Sequence, residues 1–368
     1  MARWQRYLFF GALWCVVVGY CALAMLRSQR LRSRLRVEQL EIVIADSTAH
    51  GSLIGSEQVV QALAKQRIST LGEPIDSVDL VGIEQLIARN GFVERVDASV
   101  NDRGRLCIAI AQREPVLRLR LDSRDGYVTR EGYLFATPPR SSRYVPVVTG
   151  SYRLPVPRDY TGSVAAWVEH ALWLRDTTIL GLERQKYPFM AAQRQHLLKV
   201  RRERYRRLDR HPLHWLGFET DEEYALRKEA FDRQQADSVR KYRYLARRSG
   251  EEVDRLSAQQ ESLRREQKKL QKNYEDFVKL LTFVEQLETT DFWSEEVVQI
   301  IATTASSGAL NIALVPRSGP FTIQFGRLEE VEEKFRKLDR FYERGLPHVG
   351  WERFREVDVR YSDRVVCR

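Results

Sequence analysis

VDASVNDRGRLCIAIAQREP, residues 96–115, carries the clearest fold signal in the chain. Val96, Ala98 and Val100 alternate with Asp97 and Ser99, and after Asn101-Asp102-Arg103-Gly104 the period-two pattern resumes at Leu106, Ile108 and Ile110. Two alternating runs joined by a turn rich in Asn, Asp and Gly predict an antiparallel hairpin with one buried face. On the amino-terminal side, Leu40, Ile42 and Ile44 alternate with Glu41 and Val43 as a further strand. Ser56 is placed to N-cap a helix carrying Val59, Val60 and Leu63. A second helix begins near Asp79, presents Ile83, Leu86 and Ile87, and closes at Asn90-Gly91. The result is a β-α-α-β-β unit of roughly 75 residues, within the size range of a small domain. Nothing in it clusters a nucleophile, a base or metal ligands.

On the carboxyl side, Val164, Val168, Ala171, Leu172 and Arg175 space one buried face of a helix over Ser163 to about Thr178. Gln193 to Asp209 is rich in Arg and Gln, and Asp221 to Leu287 predicts a long helix without internal proline. In it Val253, Leu256, Leu263, Leu270, Tyr274, Phe277, Leu281 and Val284 form a heptad seam, interrupted by Gln260 and Gln267. His211-Pro212 to Glu219 then forms the tip of an antiparallel helical hairpin, read as a solvated structural arm. The last hundred residues return to strand patterning at Val297–Ile301, Leu310–Leu314 and Phe321–Phe325. A helix follows with Leu328, Val331, Phe335, Leu338 and Tyr342 on one stripe, and Gly345 and Pro347 stop it. Val357, Val359 and Tyr361 alternate with Asp358 and Arg360 as a closing strand, leading to Val365-Val366. The fold class is α+β.

Tyr7 to Leu26 is twenty residues without a charge, enough for a helix of roughly 30 Å. Ala22-Leu-Ala24 imitates a signal-peptide cleavage site, but an apolar run longer than ~7–15 residues favours a retained anchor. Arg27, Arg30, Arg32, Arg34 and Arg36 outnumber Arg3 and Arg6, so charge counting alone puts the large part in the cytoplasm. The net charge of +10 invites a nucleic-acid or anionic-membrane reading. Against it, 60 basic residues are offset by 50 acidic ones, mostly interleaved along helices. Cys15 and Cys21 sit in the apolar run, while Cys107 and Cys367 stand alone, without metal-ligand spacing. An oxidising compartment would allow those two to pair, and two free thiols are the simpler reading.

No phosphate loop of the G-x-x-x-x-G-K-[ST] kind and no H-E-x-x-H helix occurs. The six histidines are dispersed, and acidic pairs such as Glu251-Glu252 and Glu332-Glu333 lie on amphipathic helices as solvated faces. These patterns point to a non-enzyme without cofactor or metal, whose work is binding.

Val78 through Gly91-Phe92-Val93 to Gln112-Arg113-Glu114-Pro115 resembles the POTRA module of the FtsQ/DivIB cell-division family, with Gly91 in place of the usual proline. Tyr127 and Gly132 match that family's Tyr-x-Asp-x-x-Gly signature, with Thr129 where aspartate is usual. Tyr144, Pro146 and Val147 to Gly150 match the strand that follows. Ile323-Gln324-Phe325-Gly326, Lys334, Leu338, Tyr342, Gly350-Trp351, Val357 to Tyr361 and Val365-Val366-Cys367 resemble FtsQ members of Gram-negative bacteria. The resemblance covers nearly everything except Gln193 to about Glu275, which reads as an insertion.

It implies a cytoplasmic tail at 1–6, a transmembrane helix at 7–26 and a connector at 27–38. A POTRA domain follows at 39–114, then a β-rich domain at 115–192 and 279–368, with a helical hairpin inserted at 193–278. It further implies a divisome scaffold, bitopic in the inner membrane at the septum, with the bulk periplasmic, against the charge count. FtsB- and FtsL-type partners would dock on the C-terminal strands, at Arg360, Tyr361, Ser362 and Val359, with neither nucleic acid nor a small-molecule substrate. A strand edge at Arg355 to Tyr361 suits such addition. The alternative is a POTRA-bearing envelope assembly or secretion factor, which requires repeated modules or a barrel of ~10-residue strands. A cytoplasmic nucleic-acid-binding helical protein is a third reading.

Overall fold

The computed structural model describes residues 13–25, 35–45, 54–66, 71–101, 103–121, 124–137 and 143–368. They divide into two compact units, Met1–Val164 with Asp276–Arg368, and Ala165–Glu275. Helix α1 (13–25) is part of the expected membrane span, and its Trp14, Tyr20 and Leu23 are exposed. Among the described residues no helix is long and apolar enough to cross a membrane. The tail, positions 7–12 and 26 of the span, and connector arginines Arg27, Arg30, Arg32 and Arg34 lie outside them.

The first module contains β1 (Gln39–Ala45), α2 (Ser56–Lys65), α3 (Leu80–Ala88), β2 (Val93–Val100) and β3 (Arg105–Gln112). Its sheet runs β1-β3-β2, with β1 parallel and β2 antiparallel to β3. The hairpin register sets Val96 opposite Ile110, Ala98 opposite Ile108 and Val100 opposite Leu106. Leu106, Ile108 and Ile110 point one way from the central strand and bury against Val59, Leu63, Ile83 and Ile87 of the helices. The Asp79 carboxylate accepts the Gly82 N–H at 2.9 Å and caps α3. Ser56 is not a cap: α2 begins one residue earlier than expected, and Gly55 takes the cap position without a side-chain bond.

The larger sheet takes β4 (Pro115–Leu121), β5 (Arg124–Thr129), β6 (Tyr133–Ala136), β7 (Val147–Gly150) and β8 (Gly162–Ser163) from before the long helices. The chain then runs through α4 (Val164–Arg204), α5 (Asp221–Glu288) and α6 (Asp291–Glu296). It returns as β9 (Val297–Thr304), β10 (Leu310–Pro316), β11 (Thr322–Gly326), α7 (Val331–Arg340), α8 (Leu346–Val349), β12 (Glu356–Asp358) and β13 (Val366–Cys367). The ten strands are ordered β13-β12-β11-β10-β9-β7-β4-β5-β6-β8. The two halves meet at the parallel pair β7–β9, where Val147, Val148 and Thr149 face Gln299, Ile300 and Ile301. Gln299 Nε2 donates to Thr149 Oγ1 at 2.7 Å across this seam. One face of the carboxyl half is covered by clustered aromatics: Phe283 lies 5.2 Å from Phe325 and 5.8 Å from Phe335, and Trp293 5.1 Å from Tyr342.

In the second unit, α4 does not stop near Thr178. It continues to Arg204 with Pro188 inside, because the compositional change near Gln193 contains no residue that ends a helix. A Thr220–Glu223 capping box starts α5, each backbone N–H donating to the other's side chain at 2.9 and 3.2 Å. The two glutamines in the α5 seam make specific bonds. Gln260, 4% exposed, donates to Ile179 O and Glu183 and accepts from Lys186 Nζ, and Gln267 donates to Asp176 at 2.6 Å. They set the antiparallel register of the two arms.

Gly150 has φ +106°, and a Cβ there would lie 2.4 Å from the carbonyl oxygen of Ala302 in β9. Gly150→Ala is expected to cost about 1–3 kcal/mol of stability, read as a lowered urea midpoint by circular dichroism, with α-helix content retained.

Candidate partner-binding edge

The sheet ends at the carboxyl-terminal strands, where the sequence places partner contacts. β12 runs parallel to β11, with Ile323 opposite Val357 and Gln324 opposite Asp358. On its other side it pairs antiparallel with β13, Val357 opposite Cys367 and Asp358 opposite Val366. Arg368 completes the closure: its N–H donates to Glu356 O at 2.9 Å, and its carbonyl accepts from Arg355 N–H at 2.8 Å. The edge expected at Arg355 to Tyr361 is therefore occupied along its strand by the chain's own residues 366–368.

The strand is also shorter than the alternation implied. Val357 and Val359 are both buried, as the pattern requires, but Tyr361 is 42% exposed. The ladder stops at Asp358 because the backbone N–H of Arg360 turns back to Asp358 Oδ1 at 3.0 Å. The Arg360 guanidinium holds the same carboxylate in two-pronged fashion, Nε at 2.9 Å and Nη2 at 2.5 Å. Arg360 is thus committed within the chain, and its stem lies over Gly326 (φ +74°), where a Cβ would meet Arg360 Cγ at 2.7 Å. Lys337 of α7 fastens the residues around it, its Nζ donating to Tyr361 O at 2.6 Å and lying 3.3 Å from Ser362 O and 3.5 Å from Val359 O.

Val359, Arg360, Tyr361 and Ser362 therefore form one tethered segment, with different surfaces available. Val359 is fully buried and its N–H bonds Gln324 O at 3.2 Å, so it has no side-chain surface to offer. Tyr361 and Ser362 are exposed, and Arg364 lies over the Tyr361 ring at 5.8 Å. Asp358 and Lys337 were not singled out from the sequence. A signal for the first existed, since residues two apart on a strand share a face; nothing local links Lys337 to residues 359–362.

Ladder alternation completes the geometry of the edge. Arg368 turns its N–H and C=O inward to β12, so the preceding residue, Cys367, turns its own outward. Its thiol is free, and burial pushes that thiol up from its ordinary pKa, away from the reactive thiolate. Cys107 is likewise free. Among the described residues no His, Cys, Asp or Glu group could hold a metal ion.

A family model described as FtsQ/DivIB, C-terminal related, matches residues 259–368, the stretch that contains this edge. A POTRA-like domain model matches residues 36–111, which takes in β1 to β3. The two matches support an FtsQ/DivIB-family protein. That family consists of non-catalytic cell-division proteins, with divisome proteins as partners in general. The FtsQ/DivIB match begins within α5 and continues through β13. No curated protein matches the chain.

The Asp358 carboxyl, held by Arg360, stays below the usual carboxylate range. A depressed carboxylate stabilises the fold above its unfolded pKa of about 3.9, and the contribution is lost as pH falls through the lower folded value. Arg360→Ala is expected to lower stability at pH 7 by about 1–2 kcal/mol, the smaller end for a charged bond because water screens the half-exposed guanidinium. In urea titrations from pH 7 downward, the gap from the unsubstituted chain should close below about pH 4.

Proposed function

We propose that this FtsQ/DivIB-family chain is a bitopic inner-membrane scaffold of the division machinery. Its amino terminus is cytoplasmic, its bulk is periplasmic at the septum, and it links early and late division proteins without catalysis. Tyr7–Leu26 is the tether in this reading. The charge count at its two ends favours the opposite orientation, and family membership outweighs it: five arginines are a modest bias, whereas two family models match separate parts of the chain.

FtsB- and FtsL-type partners dock at the end of the large sheet by adding a strand. One observation carries this: β13 is the terminal strand, and Cys367 turns its backbone donor and acceptor away from β12. A sheet edge with outward N–H and C=O groups is a template for another strand, and main-chain bonds supply the affinity. The docking line is thus the outer side of residues 364–368, with Tyr361 and Ser362 flanking it, in place of the edge of β12.

Cys367→Pro removes the outward donor and leaves the inward bonds of Arg368 intact, a substitution that edge strands accept. In co-purification with FtsB- and FtsL-type proteins, it is expected to reduce recovery at least tenfold without moving the thermal midpoint. Recovery unchanged by the substitution would exclude docking on β13, and a chain that retains neither partner would exclude the scaffold role. For the orientation, protease added to intact spheroplasts is expected to degrade the large part; its resistance would reverse the assignment.

A further inference from the structure

We propose that the outer face of α4 is a self-association surface, on which two copies of this chain pair antiparallel about a two-fold axis level with Gln185. The starting point is an apolar excess on one arm. Trp173, Leu180, Tyr187, Met190 and Leu197 are 59, 60, 75, 46 and 53% exposed, although α4 already buries Val168 and Ala171 on another face. Their steps of seven, seven, three and seven place them in one row with a 3.5-residue period. The partner arm lacks such a row: between 221 and 275, the only exposed large apolar residues of α5 are Leu226 and Tyr244.

The positions interleaved in that row choose the occupant. Towards the amino end they are acidic, Glu169, Asp176 and Glu183, and towards the carboxyl end they are basic, Arg194 and Arg201; all five are exposed. With a second α4 laid antiparallel about Gln185, Trp173 meets Leu197 and Leu180 meets Met190 of the other copy. The same register sets Glu169 against Arg201 and Asp176 against Arg194, and leaves Glu183 beside Tyr187. Every apolar residue but Tyr187 meets an apolar one, and two kinds of ion pair form across the axis, each occurring twice by symmetry, four in all. Parallel pairing would instead set Glu169 on Glu169 and Arg201 on Arg201, which like-charge repulsion disfavours.

The row from Glu169 to Arg201 spans roughly 50 Å of helix, long enough for a coiled-coil contact of several heptads. Asp176 and Glu183 already accept from Gln267 and Gln260 of their own α5. A carboxylate has two oxygens and about four acceptor sites, so these bonds leave room for an arginine. Because charged residues fill half of the row, the association is reversible and depends on concentration.

The test is sedimentation velocity on the detergent-solubilised full chain over a concentration series, with charge-swapped variants. Glu169→Arg and Arg201→Glu are each expected to weaken dimerisation about tenfold, since one substitution reverses two contacts. The double variant restores the opposite-charge pairs and should return to within about threefold of the original constant. In a chain whose four native cysteines are serine, Leu180→Cys combined with Met190→Cys should form an intermolecular disulfide, while Leu180→Cys alone should not. A monomer at all concentrations, a double variant as weak as the single ones, or a disulfide through Leu180→Cys alone would each overturn the proposal.

Discussion

The fold rests on one short parallel pairing. β7 and β9 share three register pairs, from Val147–Gln299 to Thr149–Ile301, between segments about 150 residues apart in sequence. Every other junction in the large sheet is made within one half or the other. Without this pair, β4 to β8 and β9 to β13 would each expose an unpaired edge, at β7 and at β9. Closing so long an intervening loop costs conformational entropy, although that cost grows only slowly with length. The insertion limits it further by being ordered: two long helices replace what would otherwise be a flexible loop. This explains how a β-rich domain accommodates an arm of this size between β8 and β9.

The far end of the sheet depends on side chains that return to the backbone. Lys337 gathers carbonyls of residues 359–362, and Asp358 turns Arg360 back on itself, so the chain leaves the ladder at a defined point. That departure creates the loop through Ser362 and Asp363 that lets Val366 and Cys367 double back on β12. An arginine that looks in sequence like an outward contact is thus part of the device that shapes the edge. The division of roles is physical: Asp358 is 1% exposed and must be paired, while Tyr361 and Ser362 have no such obligation and are free to meet another surface.

Where sequence and structure agree, a single periodicity controls both. Val96–Val100 and Leu106–Ile110 read correctly because one face of the hairpin is buried, so any slip would expose Ile108 and Ile110. The strand at Thr322–Gly326, with Ile323 and Phe325 buried, follows for the same reason. The closing strand is shorter than its pattern because Val359 stays buried by bonding Gln324 O after the ladder to β13 has ended, so the alternation outlasts the strand. α4 is longer than expected because a shift in composition is not a helix terminator, whereas a C-cap glycine or a run of breakers is. Lys337 acts over 22 to 25 positions, a separation at which no local pattern carries information.

Gln260 and Gln267 also act through contacts that are remote in sequence. In the heptad they break the apolar seam, and by sequence they count against tight packing. In the structure each amide is satisfied by α4, Gln260 by Ile179 O, Glu183 and Lys186, and Gln267 by Asp176. A purely apolar seam would permit the arms to slide by a heptad at little cost, whereas a displaced glutamine would lose its partners in a partly desolvated site. Fixing that slide also fixes rotation, because Asp176 and Glu183 must lean towards α5. Asp176 and Glu183 sit at the border of the α5 contact, each four residues before a member of the exposed apolar row, Leu180 and Tyr187, so holding them also fixes where that row points. The polar layer that weakens the seam is therefore what presents the row of exposed apolar side chains.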